Sequence, residues 1–247
     1  MKVFTVTGGT GSGKTTTIER LIAELKRRGF SVGTVKEIHN KQFKMDTPGK
    51  NTYRHRQAGA DTVTALGYYE TDVMYNYKMD IRRLLSHYTE DYVILEGVNY
   101  INAPGIAVAK ERNELIINDL TFAVSGVITN TLSGEIDGLP LISAIEDISR
   151  LADLVIAKVP ELMPDIDVKC CGECGMSCRQ LLSEYLKGKA DISRCVLEQN
   201  SVKLIIDGKE IEIAPFVDKV LFNTIDGIAR ELRGYRKCPK ITLILSD

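Results

Sequence analysis

Lys2-Val3-Phe4-Thr5-Val6-Thr7-Gly8-Gly9-Thr10-Gly11-Ser12-Gly13-Lys14-Thr15-Thr16 opens the chain and decides its fold. A β-branched run from Lys2 to Thr7 ends at paired glycines, after which Ile18, Leu21, Ile22 and Leu25 recur at helical spacing. The pattern predicts a strand, a glycine loop and a helix over Thr16 to Arg28. Gly8 to Thr15 also matches G-x-x-x-x-G-K-T in the strand-to-helix setting that such a loop requires. Glycines let successive amides point inward at anionic oxygens, and the helix start adds its positive dipole end. Gly8, Gly9, Thr10, Gly11, Ser12, Gly13 and Thr16 are therefore expected to cradle the phosphates of a nucleoside triphosphate. Lys14 would bridge the β- and γ-phosphates, and the Thr15 hydroxyl would ligate magnesium.

Outward from this loop, Gly29 falls at a helix C-cap and Ser31 to Lys36 reads as a second strand. The polar stretch Asn40 to Tyr53, with Pro48-Gly49 inside it, suits a long functional loop. Tyr92 to Leu95 is a buried-type strand ending at Glu96-Gly97; Thr121 to Thr129 and Asp153 to Ala157 supply two more, with a helix over Leu141 to Leu151. Strands alternating with helices predict an α/β P-loop fold. Its mainly parallel sheet would be covered on both faces, with ligands bound at the carboxyl ends of the strands.

Pro160 to Pro164 marks a boundary. A nucleotide-binding domain would occupy residues 1–162, and a small cysteine-rich α+β module residues 163–247. In the latter, Gln180 to Leu186 reads as a helix, and Lys203–Ile206 with Glu210–Ile213 form a hairpin around Asp207-Gly208. An amphipathic helix over Phe216 to Leu232, opened by Pro215, and a last strand over Ile241 to Leu245 complete it.

Composition excludes several classes. The formal net charge of −1 lacks the basic excess that a nucleic-acid backbone demands, so nucleic acid is not an expected partner. No apolar run approaches the ~18–20 residues of a membrane span, and Val3 to Val6 leads into glycines rather than a cleavable leader, so a soluble cytoplasmic protein is expected. Of the six cysteines, Cys170, Cys171, Cys174 and Cys178 crowd together, Cys195 follows, and Cys238 stands apart. In a reducing compartment this clustering points to metal ligation rather than disulfides. Cys171, Cys174 and Cys178 are spaced C-x-x-C-x-x-x-C with Gly172 and Gly175 to bend the chain, and Cys195 would be the fourth ligand. A [4Fe–4S] cluster is expected, with structural zinc and redox-active thiols as alternatives.

Glu96 stands where P-loop folds put an acid at the end of a neighbouring strand, either to hold magnesium or to orient an attacking water. His39, His55 and His87 have no ligand spacing, and Arg54-His55-Arg56 is either a cationic face toward a phosphate-bearing substrate or a solvated helix surface.

The GGTGSGKTT loop, the run Asp46-Thr47-Pro48-Gly49-Lys50-Asn51-Thr52-Tyr53-Arg54-His55-Arg56-Gln57-Ala58-Gly59-Ala60, and Leu95-Glu96-Gly97 together resemble the molybdopterin-guanine dinucleotide biosynthesis protein B (MobB) family over about the first 160 residues. The resemblance implies a GTP-binding accessory protein in joining GMP to molybdopterin. Such a protein would be homodimeric and would work beside a separate guanylyltransferase that serves a molybdenum or tungsten enzyme. It assigns Lys14, Thr15, Asp46 and Glu96 to nucleotide and magnesium, and sets Gly49, Lys50, Arg54 and Arg56 near a phosphate or pterin. The chain departs from the family in having Glu37 and only His39 after the second strand, and Val98-Asn99 after the Glu-Gly pair. Ala157-Lys158-Val159-Pro160 is assigned to the place of a guanine-reading signature whose aspartate is missing. The tail from Lys169 to about Arg233 is similar to small four-cysteine iron–sulfur modules, though the second and third cysteines are one residue closer and Val196 replaces a proline. With no evident water-positioning glutamine or arginine finger, turnover would be slow. The rival readings are a nucleotide-gated scaffold for metalloenzyme maturation and a small-molecule kinase.

Overall fold

The strand expected over Lys2 to Thr7 forms β1 (Lys2–Thr7), and Lys14 begins α1 (Lys14–Arg27). In this computed structural model residues 1–164, 174–195, 202, 204–206, 209–211 and 213–231 are described. Chain order continues with β2 (Val32–Lys36), α2 (Asn51–Gln57), the antiparallel hairpin β3 (Thr62–Leu66) and β4 (Thr71–Tyr75), α3 (Ile81–Leu85) and β5 (Tyr92–Glu96). There follow β6 (Gly105–Val108), β7 (Thr121–Ser125), β8 (Gly134–Ile136), β9 (Leu139–Leu141) and α4 (Ile148–Lys158). The remaining elements are α5 (Cys178–Leu186), β10 (Leu204–Ile206), β11 (Lys209–Ile211) and α6 (Pro215–Arg230).

Seven strands form one sheet in the order β2-β5-β1-β6-β7-β9-β8, parallel except for β8 against β9. The α/β class and parallel sheet thus follow the expectation. Strands β1, β5, β6 and β7 are buried along nearly their whole length, as strands covered on both faces must be. Leu21 and Leu25 of α1, with Leu151, Ala152 and Val155 of α4, pack over Phe4, Val6, Ile94 and Ile106 in one core; Val3, Val93, Leu95 and Leu85 form a second. Leu181, Leu182 and Leu186 of α5 belong to the first of these cores.

One predicted strand is a helix. Asp153 to Ala157 lies inside α4, whose N-cap Asp147 accepts a hydrogen bond from the Arg150 amide. Leu151, Ala152 and Val155 all face the core, which is helical spacing. The helix predicted over Leu141 to Leu151 correspondingly begins later, after β9. β6, β8, β9 and the β3–β4 hairpin are additional to the elements that the sequence pattern predicts. The hairpin strands of the tail pair antiparallel as predicted, and α6 matches its helix, while Ile241 to Leu245 lies outside the described residues. Among the described residues no helix is long and apolar enough to cross a membrane.

The carboxyl end of α1 is tied to α4 through a charged cluster. Glu24 accepts from Arg27 at 2.7 and 2.8 Å and from Arg28 at 2.8 Å, while Arg28 also donates to the Ser149 carbonyl and to Asp153. The hydrogen bonds from Arg27, then those from Arg28, lower the Glu24 carboxyl from 4.5 to about 2. A carboxyl lowered on folding contributes stability above its unfolded value, and that stability is lost as pH falls through the folded value. Glu24→Gln should therefore trail the parent in urea stability by a constant margin at neutral pH, the margin closing between 4.5 and about 2. A margin independent of pH would contradict this.

Candidate functional site

The loop between β1 and α1 is shaped by what surrounds it. Gly11 and Gly13 adopt φ of 71° and 96°, which only glycine takes without strain, and Gly13 caps α1. A Cβ on Gly8 would overlap the Val108 carbonyl oxygen at the end of β6. On the other side, Gly126 follows β7 with φ 91°, and a side chain there would strike the Ser12 carbonyl. The Val127 amide donates to that same carbonyl at 3.1 Å. Ser12 closes the turn by donating from Oγ to the Gly9 carbonyl at 2.8 Å. Lys14 folds across the loop, its ammonium donating to the Gly8 and Gly9 carbonyls at 2.8 and 2.6 Å. Thr15 and Thr16 lie exposed in the first turn of α1, where the helix dipole favours anions. The cradle is thus preformed, with a lysine that can trade carbonyls for phosphate oxygens.

Glu96 ends β5 in register with Val6 of β1, beside the start of the loop. Its carboxylate is paired with Lys36 at 3.1 Å. The neighbouring Glu37 accepts from Lys78 at 2.8 Å and from the Tyr100 hydroxyl at 3.3 Å. The Lys78 hydrogen bond holds the Glu37 carboxyl below the usual carboxylate range. Glu37 is therefore committed to a local ion pair.

Asp46 is the most informative acid. It is only 6% exposed; one oxygen accepts from the Thr52 hydroxyl at 3.0 Å, and Oδ2 is buried with no hydrogen-bond partner. Arg56 stands 4.0 Å away and also donates to Asn76 at 2.8 Å. A buried carboxylate oxygen left without a donor is costly, and a cation relieves that cost. Asp46 thus offers an oxygen donor of the type magnesium takes, and the Thr15 hydroxyl and Glu96 carboxylate are donors of the same type. The Arg54-His55-Arg56 cluster is divided: Arg56 is half-buried against Asp46 and Asn76, whereas Arg54 is exposed, as are Gly49 and Lys50 before α2. Thr52, the internal partner of Asp46, carried no sequence signal beyond its place in the family-like run.

Ala157-Lys158-Val159-Pro160 does not lie at a strand end facing the cradle. Ala157 and Lys158 close α4, Lys158 donates to the Leu186 carbonyl at 2.9 Å, and Glu161 bridges Lys2 at the amino end of β1. The sheet edge opposite the glycine loop is no place to read a bound base. The loops after β7 and β9 share the cradle's edge, and a cleft between them is lined by Thr129, Ser143, Glu146 and Asp147.

In the tail, Cys178 is the first residue of α5, behind a Ser177–Gln180 capping box. Cys195 is buried in the main core, and Cys174 packs against it, donating to the Met176 carbonyl at 3.3 Å. Cys171 and Cys170 lie outside the described residues. Among those described, no three histidine, cysteine or acidic side chains are gathered into a metal-holding group.

The parallel sheet, the glycine loop at its carboxyl edge and the lysine across it define an α/β P-loop protein. The family model described as molybdopterin guanine dinucleotide synthesis protein B (MobB) matches residues 3–130, and the chain belongs to that family. It is 31% identical over 245 residues to the putative molybdopterin-guanine dinucleotide biosynthesis adapter protein of Methanocaldococcus jannaschii, covering 95% of this chain and 93% of that one. That alignment leaves out too little to omit the cysteine-bearing tail. The Escherichia coli molybdopterin-guanine dinucleotide biosynthesis adapter protein is 27% identical over 158 residues, covering 59% of this chain and 86% of its own. The crystal structure of Bacillus subtilis MobB superposes with a TM-score of 0.53 at 26% identity, covering 65% of this chain and 99% of that one.

Proposed function

We propose that this chain is a GTP-binding, magnesium-dependent adapter in molybdenum or tungsten cofactor biosynthesis, assisting a guanylyltransferase to form or deliver molybdopterin guanine dinucleotide. The observation that carries the reading is the preformed glycine cradle with Lys14 across it, in a chain aligned along nearly its whole length with a molybdopterin-guanine dinucleotide biosynthesis adapter. The amides of Gly9 to Gly13 and the Lys14 ammonium bind the phosphates. Thr15, Asp46 and Glu96 would hold magnesium, which would supply charge neutralisation at the phosphates. Lys36, paired with Glu96 at 3.1 Å, would have to yield that carboxylate to the ion, and the exposed Arg54 and Lys50 would offer positive charge to a pterin phosphate. GTP is preferred on family grounds, hydrolysis by the chain alone is slow, and the protein works as a cytoplasmic homodimer.

In this reading residues 1–162 bind the nucleotide and residues 163–247 carry the metal. The thiol spacing supports a [4Fe–4S] cluster, with zinc as the alternative; ligation would require Cys171, Cys174, Cys178 and Cys195 to draw together.

The proposal is tested by adding the full chain to a guanylyltransferase reaction and measuring dinucleotide formation. A GTP-dependent stimulation that Lys14→Ala abolishes is expected; equal product with and without the chain would overturn it. Asp46→Ala should keep the fold and weaken magnesium-dependent GTP binding by about tenfold or more, while leaving metal-free binding little changed. Equal losses with and without magnesium would remove Asp46 from the ion's neighbourhood.

A further inference from the structure

The cradle has a second lysine over it. β6 runs beside β1, and its end is fixed against the loop: the Val108 carbonyl abuts Gly8, and the Ala109 carbonyl accepts from the Ile128 amide at 2.9 Å. The next residue, Lys110, extends across the loop mouth. A Cβ on Gly11 would stand 3.1 Å from Lys110 Cε and 3.5 Å from its Nζ. Lys110 is exposed and makes no ion pair or hydrogen bond among the described residues. Lys14, by contrast, already donates to two loop carbonyls. An uncommitted ammonium held beside inward-facing amides adds to a field that favours polyanions.

We propose that Lys110 is a second phosphate-binding lysine, reaching the terminal phosphoryl oxygens of the bound nucleotide from the β6 side. The inference rests on the nucleotide-binding reading above and deepens it. Lys110 supplies from within the chain the positive charge that an arginine finger supplies elsewhere, and it favours triphosphate over diphosphate because the added charge sits at the terminal phosphate. Its stem lies along Gly11, so the ammonium is delivered by a short lever from a rigid strand end. The position is absent from the glycine motif and sits about a hundred residues further along the chain, so only the sheet order brings it in.

The test is competition against a fluorescent GTP analogue, using the full-length parent, Lys110→Ala and Lys110→Arg, with GTP, GDP and inorganic tripolyphosphate as competitors. Lys110→Ala should weaken GTP and tripolyphosphate by about fivefold to twentyfold, and GDP by less. Lys110→Arg should restore most of the loss. The salt dependence of GTP binding should also become shallower in Lys110→Ala. Circular dichroism and thermal melting should match the parent, since the side chain is exposed. Unchanged affinity for GTP and tripolyphosphate would overturn the role of Lys110, as would an equal loss for all three competitors, which would mark a general disturbance of the loop. If the parent chain itself binds none of these, the nucleotide reading fails, and this inference fails with it.

Discussion

Lys14→Ala is expected to weaken nucleoside triphosphate binding by about a hundredfold or more, without lowering the melting temperature appreciably. Lys14 donates at 2.8 and 2.6 Å to carbonyls of its own loop, so in the free protein its hydrogen bonds are local and replaceable by water. On binding, the same ammonium faces β- and γ-phosphate oxygens in a partly desolvated cradle, where a charge-assisted bond is worth far more than at the surface. The substitution therefore costs binding rather than folding. Fluorescence titration with a labelled triphosphate beside a thermal melt separates the two, and a variant that binds like the parent would show that the loop is not the nucleotide site.

Gly126→Ala is expected to be nearly as damaging, although Gly126 lies outside the motif. Its φ of 91° already strains any other residue, and the new methyl would run into the Ser12 carbonyl while standing 3.0 Å from Val108 Cβ. Backbone strain of this kind costs about 1–3 kcal/mol before the steric overlap is added. The loop must retreat, taking Ser12 and Gly13 with it, so affinity for triphosphate should fall by about tenfold or more together with stability. Urea denaturation and nucleotide titration of the same preparation would show both losses. A variant with parental stability would mean that β7 does not buttress the cradle.

The sequence made the centre of the site legible because two independent patterns coincide there. A β-branched run over Lys2 to Thr7, buried continuously from Val3 to Val6, and helical spacing from Ile18 to Leu25 flank a loop whose glycines are required by named backbone angles and close approaches. Glu96 was legible as the acid closing a buried strand. What remained hidden depends on contacts between distant segments. Gly126 looks like an ordinary turn glycine until β7 is seen beside the loop, and Lys110 looks like a surface lysine until β6 is placed next to β1. Asp46 was reached only through the family-like run, and its burial and bare oxygen come from the fold of α2 against its own loop. The misassigned stretch Asp153 to Ala157 holds Leu154-Val155-Ile156, an apolar triplet that fits a buried strand and a buried helix equally well. The N-cap at Asp147 and packing on α1 decide for the helix. β6 escaped because it is a four-residue strand entered directly from Ala103-Pro104-Gly105, which reads locally as a turn.

Under the proposed function, the glycine cradle of this MobB-family chain binds a guanine nucleotide through its phosphates. Isothermal titration calorimetry of GTP into the full-length protein, purified anaerobically and measured with and without magnesium, tests it directly. Saturable binding with one nucleotide per chain, strengthened by magnesium and weaker for ATP, is expected; no saturable heat with either nucleotide would show that the cradle is not a nucleotide site.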